Sequence, residues 1–207
     1  MIRRRIGWAL VLAAVALAVV AALWPRDGAH PVTTPHSGPH VAGLDELRAQ
    51  AALQPCPEPV PGAGAAGPLA GVVVPCLGHD GEVDLGAALA GRPALINAWG
   101  PLCKPCQEEM PALAAYTAEP GAVAVLGVEV QGLPEGGLDL MAALGVHYPS
   151  VSDPRGELRA ALRSPPVLPV TYVVSPDGSV QQVNPPEVFR DAGQVRAAVA
   201  RYLGDGS

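Results

Sequence analysis

Apolar positions along the chain fall into a few distinct runs. Ala94-Leu-Ile-Asn-Ala-Trp99 and Ala122-Val-Ala-Val-Leu-Gly-Val-Glu-Val130 are nearly continuous, so they read as strands, the first central and buried on both faces. Gln107 to Glu119 between them is compatible with a helix, and a strand–helix–strand order implies a parallel pair with a right-handed crossover. Upstream, Gly71-Val-Val-Val-Pro-Cys76 predicts a short strand and Gly78-His-Asp-Gly81 a turn. Glu82-Val-Asp-Leu85 then continues as a strand or enters a helix that Asp84 can cap. Downstream, Leu138 to Leu144 predicts a helix stopped by Gly145, and Tyr148-Pro-Ser-Val151 a short extended piece. Asp153-Pro154 reads as the start of a helical turn through Leu162. Val170 to Val174, Ser175-Pro-Asp-Gly178 and Ser179 to Val183 predict a β-hairpin. Asp191-Ala-Gly-Gln194 resembles a capping box, opening a last helix with Val195, Val199 and Tyr202/Leu203 on its apolar face. The order β-α-β-α, hairpin, α describes an α/β sandwich: a central mixed sheet with helices on both faces.

The first quarter of the chain has a different pattern. Ile6 to Trp24 runs without a charge behind the basic start Met1-Ile-Arg-Arg-Arg5. As a helix it would span ~28 Å, close to the thickness of a hydrocarbon core. Residues 1–24 are therefore expected to be a cytoplasmic start and a transmembrane anchor. The arginines would stay inside, and the remainder would lie outside the cytoplasm. A cleaved signal peptide is the competing reading, but Ala-Leu-Trp-Pro-Arg26 is a poor cleavage site. Residues 25–43, rich in Pro, Gly, Ser and Thr, read as a flexible linker, and its His30, His36 and His40 as solvated side chains. Residues 44–67 form an N-terminal extension with a short helix over Leu44 to Leu53, and 68–204 the folded domain.

Composition narrows the function classes. The formal net charge is −6, and setting Arg3, Arg4 and Arg5 aside leaves ten basic against nineteen acidic residues, or −9. An acidic domain without a basic patch argues against nucleic acid as a partner. Lys104 is the only lysine. Four cysteines, an even number, fit an oxidising compartment.

Two of those cysteines carry the candidate chemistry. Trp99-Gly-Pro-Leu-Cys103-Lys-Pro-Cys106-Gln-Glu-Glu-Met-Pro111 places a C-x-x-C pair at a strand-to-helix turn. There the helix dipole and unpaired backbone N–H groups favour a thiolate at Cys103, and Cys106 stands one turn inside to resolve a mixed disulfide. Zinc would need two more ligands, and Cys56 and Cys76 are not spaced as a knuckle. An inert structural disulfide at Cys103–Cys106 is the other alternative. Cys56 and Cys76 flank a Pro/Gly/Ala loop with little packing of its own, so a structural disulfide is expected there, contributing roughly 3 kcal/mol through chain entropy. Pro169 stands at the mouth of a strand in Ser164-Pro-Pro-Val-Leu-Pro169-Val-Thr, where a cis peptide would let the Leu168 backbone pair with an extended substrate.

These motifs together resemble the membrane-anchored TlpA-like thioredoxin proteins of bacteria, which include reductants of apocytochrome c. The resemblance covers about Pro68 to Leu203. It rests on Ile96-Asn-Ala-Trp99, Cys103-Lys-Pro-Cys106 with Glu109-Met-Pro111, and Leu168-Pro169-Val-Thr followed by Ser175-Pro-Asp-Gly178. It implies a thioredoxin-like fold with extra N-terminal strands around Cys76. Cys103 would be the attacking cysteine, Cys106 the resolving one and Pro169 the cis-proline. Glu109 matches a glutamate that tunes the thiols in some cytochrome-maturation members, and Asn97 stands where thioredoxins keep a buried aspartate. Trp99, Leu102 and Leu168 are the candidate substrate contacts. Leu102 and Pro101 depart from the family, which usually has tryptophan before the first cysteine.

The resulting expectation is an extracytoplasmic thiol-disulfide oxidoreductase, a reductant of protein disulfides such as those of apocytochrome c. It would be anchored in membrane lipid, fed by a membrane electron-donor protein, act on exported proteins, and need no cofactor or metal. An oxidase that forms disulfides is one alternative. A copper-binding chaperone, with His79 or His147 joining the C-x-x-C cysteines, is another. A peroxidase is disfavoured, since no Thr precedes a lone cysteine at three-residue spacing.

Overall fold

A computed structural model describes residues 39–204 except 60 and 63. The expected membrane-spanning run and most of the expected linker lie outside the described residues. Among those described, no helix is long and apolar enough to cross a membrane.

Five strands form the main sheet: β3 (Ala94–Trp99), β4 (Ala124–Glu129), β5 (Ser150–Ser152), β6 (Val170–Val174) and β7 (Val180–Gln182), in the order β5-β4-β3-β6-β7. The continuous apolar run of β3 places it in the middle, with all six residues buried. It pairs in parallel with β4 and antiparallel with β6, which makes the sheet mixed. Helix α3 (Lys104–Thr117) is the right-handed link between β3 and β4. Helix α4 (Pro134–Leu144) links β4 to β5, and α6 (Ala192–Leu203) closes the chain. One face of the sheet packs Leu95, Trp99, Met110, Leu113, Phe189 and Val195 among others. The opposite face buries Ile96, Ala98, Leu126, Val128, Val170 and Tyr172. This is the expected thioredoxin-like α/β sandwich.

Ahead of the sheet, β1 (Val73–Pro75) and β2 (Glu82–Asp84) form an antiparallel hairpin. The segment expected to be strand or helix is both: β2 ends at Asp84, whose carboxylate accepts the Ala87 N–H at 3.1 Å and opens the one-turn helix α2 (Leu85–Ala88). The hairpin reaches the edge of the main sheet. Cys76 bridges Val151 of β5, and the Leu77 N–H donates to the Ser150 carbonyl at 2.8 Å.

Three boundaries differ from expectation. Helix α1 runs Pro39–Ala51, so it begins inside the segment read as linker; a proline at the first turn costs a helix no hydrogen bond. Helix α4 begins at Pro134 rather than Leu138 for the same reason. The turn after Asp153 yields helix α5 only over Glu157–Ala161, because Gly156 takes a left-handed conformation (φ 72°). Asp153 still serves it, accepting the N–H groups of Leu158 (3.2 Å) and Arg159 (3.0 Å).

Candidate functional site

The antiparallel pairing of β3 with β6 brings the C-terminal end of one to the N-terminal end of the other, Ala98 opposite Val170. The C-x-x-C turn leaves β3, and Leu168-Pro169 enters β6, at this same end of the sheet. The Leu168–Pro169 peptide is cis, as is Asn184–Pro185. Pro169 is buried, and the Leu168 side chain reaches the turn, where a Cβ added to Gly100 would stand 3.5 Å from its Cδ1.

Backbone bonds hold the turn itself. The Cys103 N–H donates to the Gly100 carbonyl (3.0 Å), and the Gln107 side-chain amide donates to the Pro101 carbonyl (2.7 Å). Cys103 is the N-cap of α3, and its Sγ accepts the Cys106 N–H at 3.3 Å. It shares a disulfide with Cys106, their Cα atoms 5.3 Å apart. Cys103 is partly exposed and Cys106 fully buried. On reduction, the N–H donor and the helix dipole both stabilise a Cys103 thiolate, and Lys104, exposed beside it, adds a positive charge.

Glu109 lies one turn beyond Cys106 on the same buried side of α3, with none of its surface exposed. Asn97 of β3 donates one amide hydrogen to Glu109 Oε1 (2.6 Å) and the other to Thr171 Oγ1 (3.1 Å). The Phe189 N–H reaches Glu109 Oε2 at 3.4 Å. Burial pushes the Glu109 carboxyl up to about 7; the bonds from Asn97 and Phe189 and the nearby Arg190 charge offset that only partly. The strand position thus holds an amide, and the titrating acid stands across from it on the helix.

Leu102 and Leu133 are among the most exposed large apolar residues described, 96 % and 71 % exposed. With Pro101, Pro134 and Leu140 they line an apolar groove beside the cysteine turn. Trp99, expected as a substrate contact, does not belong to this surface. Its ring is fully buried in the core beneath the turn, because β3 is covered on both faces.

Sequence reasoning missed Glu129, a second buried acid at the end of β4. Its Oε2 accepts from Ser152 Oγ at 3.1 Å, whereas Oε1 has no hydrogen-bond partner. The carboxyl lies against α4, where a Cβ added to Gly137 would meet Oε1 at 3.1 Å. Burial, and to a lesser extent the charge of Glu135, raise it to about 7. The available signal was a lone charge inside the apolar run Val128-Glu129-Val130.

The remaining cysteines, Cys56 and Cys76, are joined as a disulfide with Cα atoms 6.2 Å apart, both buried. His79 stands against this pair and not against Cys103 and Cys106. His147 makes its bond to the Ala51 carbonyl at 2.8 Å. Among the described residues, the only three-ligand cluster of His, Cys, Asp or Glu is Cys56, Cys76 and His79. The copper alternative built on the C-x-x-C pair therefore has no histidine to complete it.

Comparison with known proteins agrees with this geometry. ResA thiol-disulfide oxidoreductases are similar over part of the chain: that of Bacillus subtilis is 30 % identical over 97 residues, 46 % of this chain and 54 % of the relative. That of Geobacillus kaustophilus is 32 % identical over 98 residues, 45 % and 54 % of the two chains. The chain thus matches about half the length of these curated relatives. Among solved structures, a secreted thiol-disulfide isomerase from Corynebacterium glutamicum is 26 % identical, covering 62 % of this chain and 80 % of that one, with a TM-score of 0.53. A secreted Mycobacterium tuberculosis disulfide oxidoreductase homologous to E. coli DsbE shares the fold, with a TM-score of 0.57 at 24 % identity over 65 % of this chain and 97 % of its own. The AhpC/TSA family model matches residues 72–183, from the N-terminal hairpin through β7, and the chain belongs to that family, in its thioredoxin-like form.

Proposed function

We propose that the chain is an extracytoplasmic thiol-disulfide oxidoreductase that reduces disulfides in exported proteins, those of apocytochrome c being the leading candidates. The observation that carries this reading is the asymmetry of the pair: Cys103 is partly exposed at the helix N-cap, with an N–H aimed at its sulfur, and Cys106 is buried. The Cys103 thiolate attacks one sulfur of the substrate disulfide, and the other sulfur leaves as a thiolate. Cys106 gives up its proton and attacks Cys103 Sγ, which releases the substrate as a dithiol and leaves the Cys103–Cys106 disulfide. Glu109, held near neutrality behind the pair, is suited to take the Cys106 proton. The groove at Leu102 and Leu133 offers apolar surface to a protein substrate, and the Leu168 backbone an edge for an extended segment. A membrane electron-donor protein would return the two electrons, with the chain anchored in lipid through Ile6 to Trp24.

Lys104 and the N-cap favour the reduced form, and so support the opposite direction, oxidation of substrate thiols. A redox titration of the full chain separates the two. A reductant should lie below about −220 mV, whereas a strong oxidant of the periplasmic kind lies near about −120 mV. A value at the oxidising end, with c-type cytochromes retained in a deletion strain, overturns the reductant reading.

A further inference from the structure

The site at Cys56, Cys76 and His79 is arranged as more than a brace. His79 Nδ1 lies 2.8 Å from the Asp80 carbonyl, which can only accept, so Nδ1 carries the hydrogen. The Cys56 N–H points at Nε2 from 3.3 Å and can only donate, so Nε2 presents its lone pair. The same Nε2 lies 3.2 Å from Cys76 Sγ, so turning the lone pair toward a metal beside the sulfur requires only that the Cys56 N–H let go of it. An imidazole with Nδ1–H tied to a backbone carbonyl and Nε2 directed at a sulfur is oriented as metal-ligating histidines are. The ligand atoms of all three residues lie within 4.8 Å of one another. Both sulfurs also lie near the Ser150 carbonyl, at 3.6 Å (Cys56) and 3.8 Å (Cys76). Disulfide sulfurs have no hydrogen to donate there, but the thiols of the reduced form do.

We propose that Cys56, Cys76 and His79 form a redox-gated site for Cu(I), closed as the disulfide and opened as the dithiol. A dithiol reductant transfers two electrons and two protons to the Cys56–Cys76 bond and is itself oxidised to a disulfide. Cu(I) then binds both sulfurs and Nε2, the two thiol protons pass to solvent, and the metal keeps its oxidation state. Two thiolates and one imidazole are soft to intermediate donors that suit Cu(I). A three-coordinate ion with bonds of ~2.0–2.3 Å holds its donors roughly 3.5–4 Å apart, so the sulfurs need only part while His79 stays close to its present position. Structural zinc asks for a fourth protein ligand. The neighbouring acid, Asp80, is already paired with Arg48 at 2.5 Å. The two cysteines are buried and His79 is exposed, which gives the ion an approach along the imidazole edge.

The test uses the full chain in detergent with Cys103→Ser and Cys106→Ser, so that only the second pair can hold metal. It is reduced anaerobically with a phosphine and titrated with Cu(I) against the chelator bicinchoninate. The reduced chain should withdraw one Cu(I) and the disulfide form none, and His79→Ala should weaken binding at least tenfold. X-ray absorption of the copper-loaded chain with His79 intact should show two sulfur donors and one nitrogen donor, a readout that does not depend on the His79 variant folding. A reduced chain that leaves the bicinchoninate complex untouched, a spectrum with sulfur donors alone, or uptake of Zn(II) with refusal of Cu(I) would overturn the proposal.

Discussion

Asn97 Nδ2 stands 2.6 Å from Glu109 Oε1, so an amide on the central strand donates to a carboxyl on the helix that begins at the cysteines. The contact keeps one buried acid, not two, behind the thiols. Asn97→Asp would set a second carboxyl against the first, and the pair would then share a proton. The upper limb of the pH–rate profile for dithiol–disulfide exchange should move up by about one pH unit or more. An unchanged profile would mean that the thiols do not sense Glu109.

Buried acids also make stability depend on pH. Glu109 and Glu129 both rise from 4.5 to about 7 in the folded chain. Between these values the folded state binds more protons than the unfolded state, so stability is greatest at the acid end and falls as pH climbs from about 4.5 to about 7. Each carboxyl accounts for on the order of 3 kcal/mol across that window. Denaturant unfolding of the oxidised chain at a series of pH values should show this slope, and Glu109→Gln or Glu129→Gln should each flatten it. Parallel curves for the variants and the parent would show that the carboxyls are not held near neutrality.

In the reduced chain, Cys103 should be alkylated well before Cys106, which is fully buried. Cys103→Ser should abolish exchange, and Cys106→Ser should accumulate mixed disulfides with substrate. Peptide mapping after brief alkylation decides the order, and labelling of Cys106 first would reverse the assigned roles.

Leu102, 96 % exposed beside Cys103, should act on protein substrates and not on small ones. Burying a leucine is worth roughly 1.5–3 kcal/mol. Leu102→Ser should therefore raise KM for a disulfide-bonded protein about tenfold or more, while the rate with a small disulfide stays within about twofold. Equal losses on both would place Leu102 in the chemistry of the turn, not in recognition.

The core of the fold was legible because β3 and β4 are uninterrupted apolar runs separated by a helix-length segment, which allows little besides a parallel pair. The cysteine turn was legible for a chemical reason, since two thiols at that spacing on a helix start have few other uses. Boundaries at Pro39, Pro134 and Gly156 were not, because proline in a first helical turn and glycine before one look the same in sequence whether they end a loop or begin a helix. The Asn97–Glu109 contact and the approach of His79 to Cys76 depend on how separate elements pack, which local pattern does not encode. Trp99 was misassigned because its position next to the motif says nothing about which way the ring points.

A sheet ends in rows of unpaired N–H and C=O groups that can recruit a strand from another molecule. Here the hairpin covers one such row: Cys76 bridges Val151, and the Leu77 N–H occupies the Ser150 carbonyl. The other edge, β7, has only three residues to offer. The bond from Cys56 to Cys76 ties that cover to the preceding loop, so its loss should loosen the cover and open the β5 edge to other copies of the chain. A population in which this pair is kept reduced should self-associate through β5 before it loses its core.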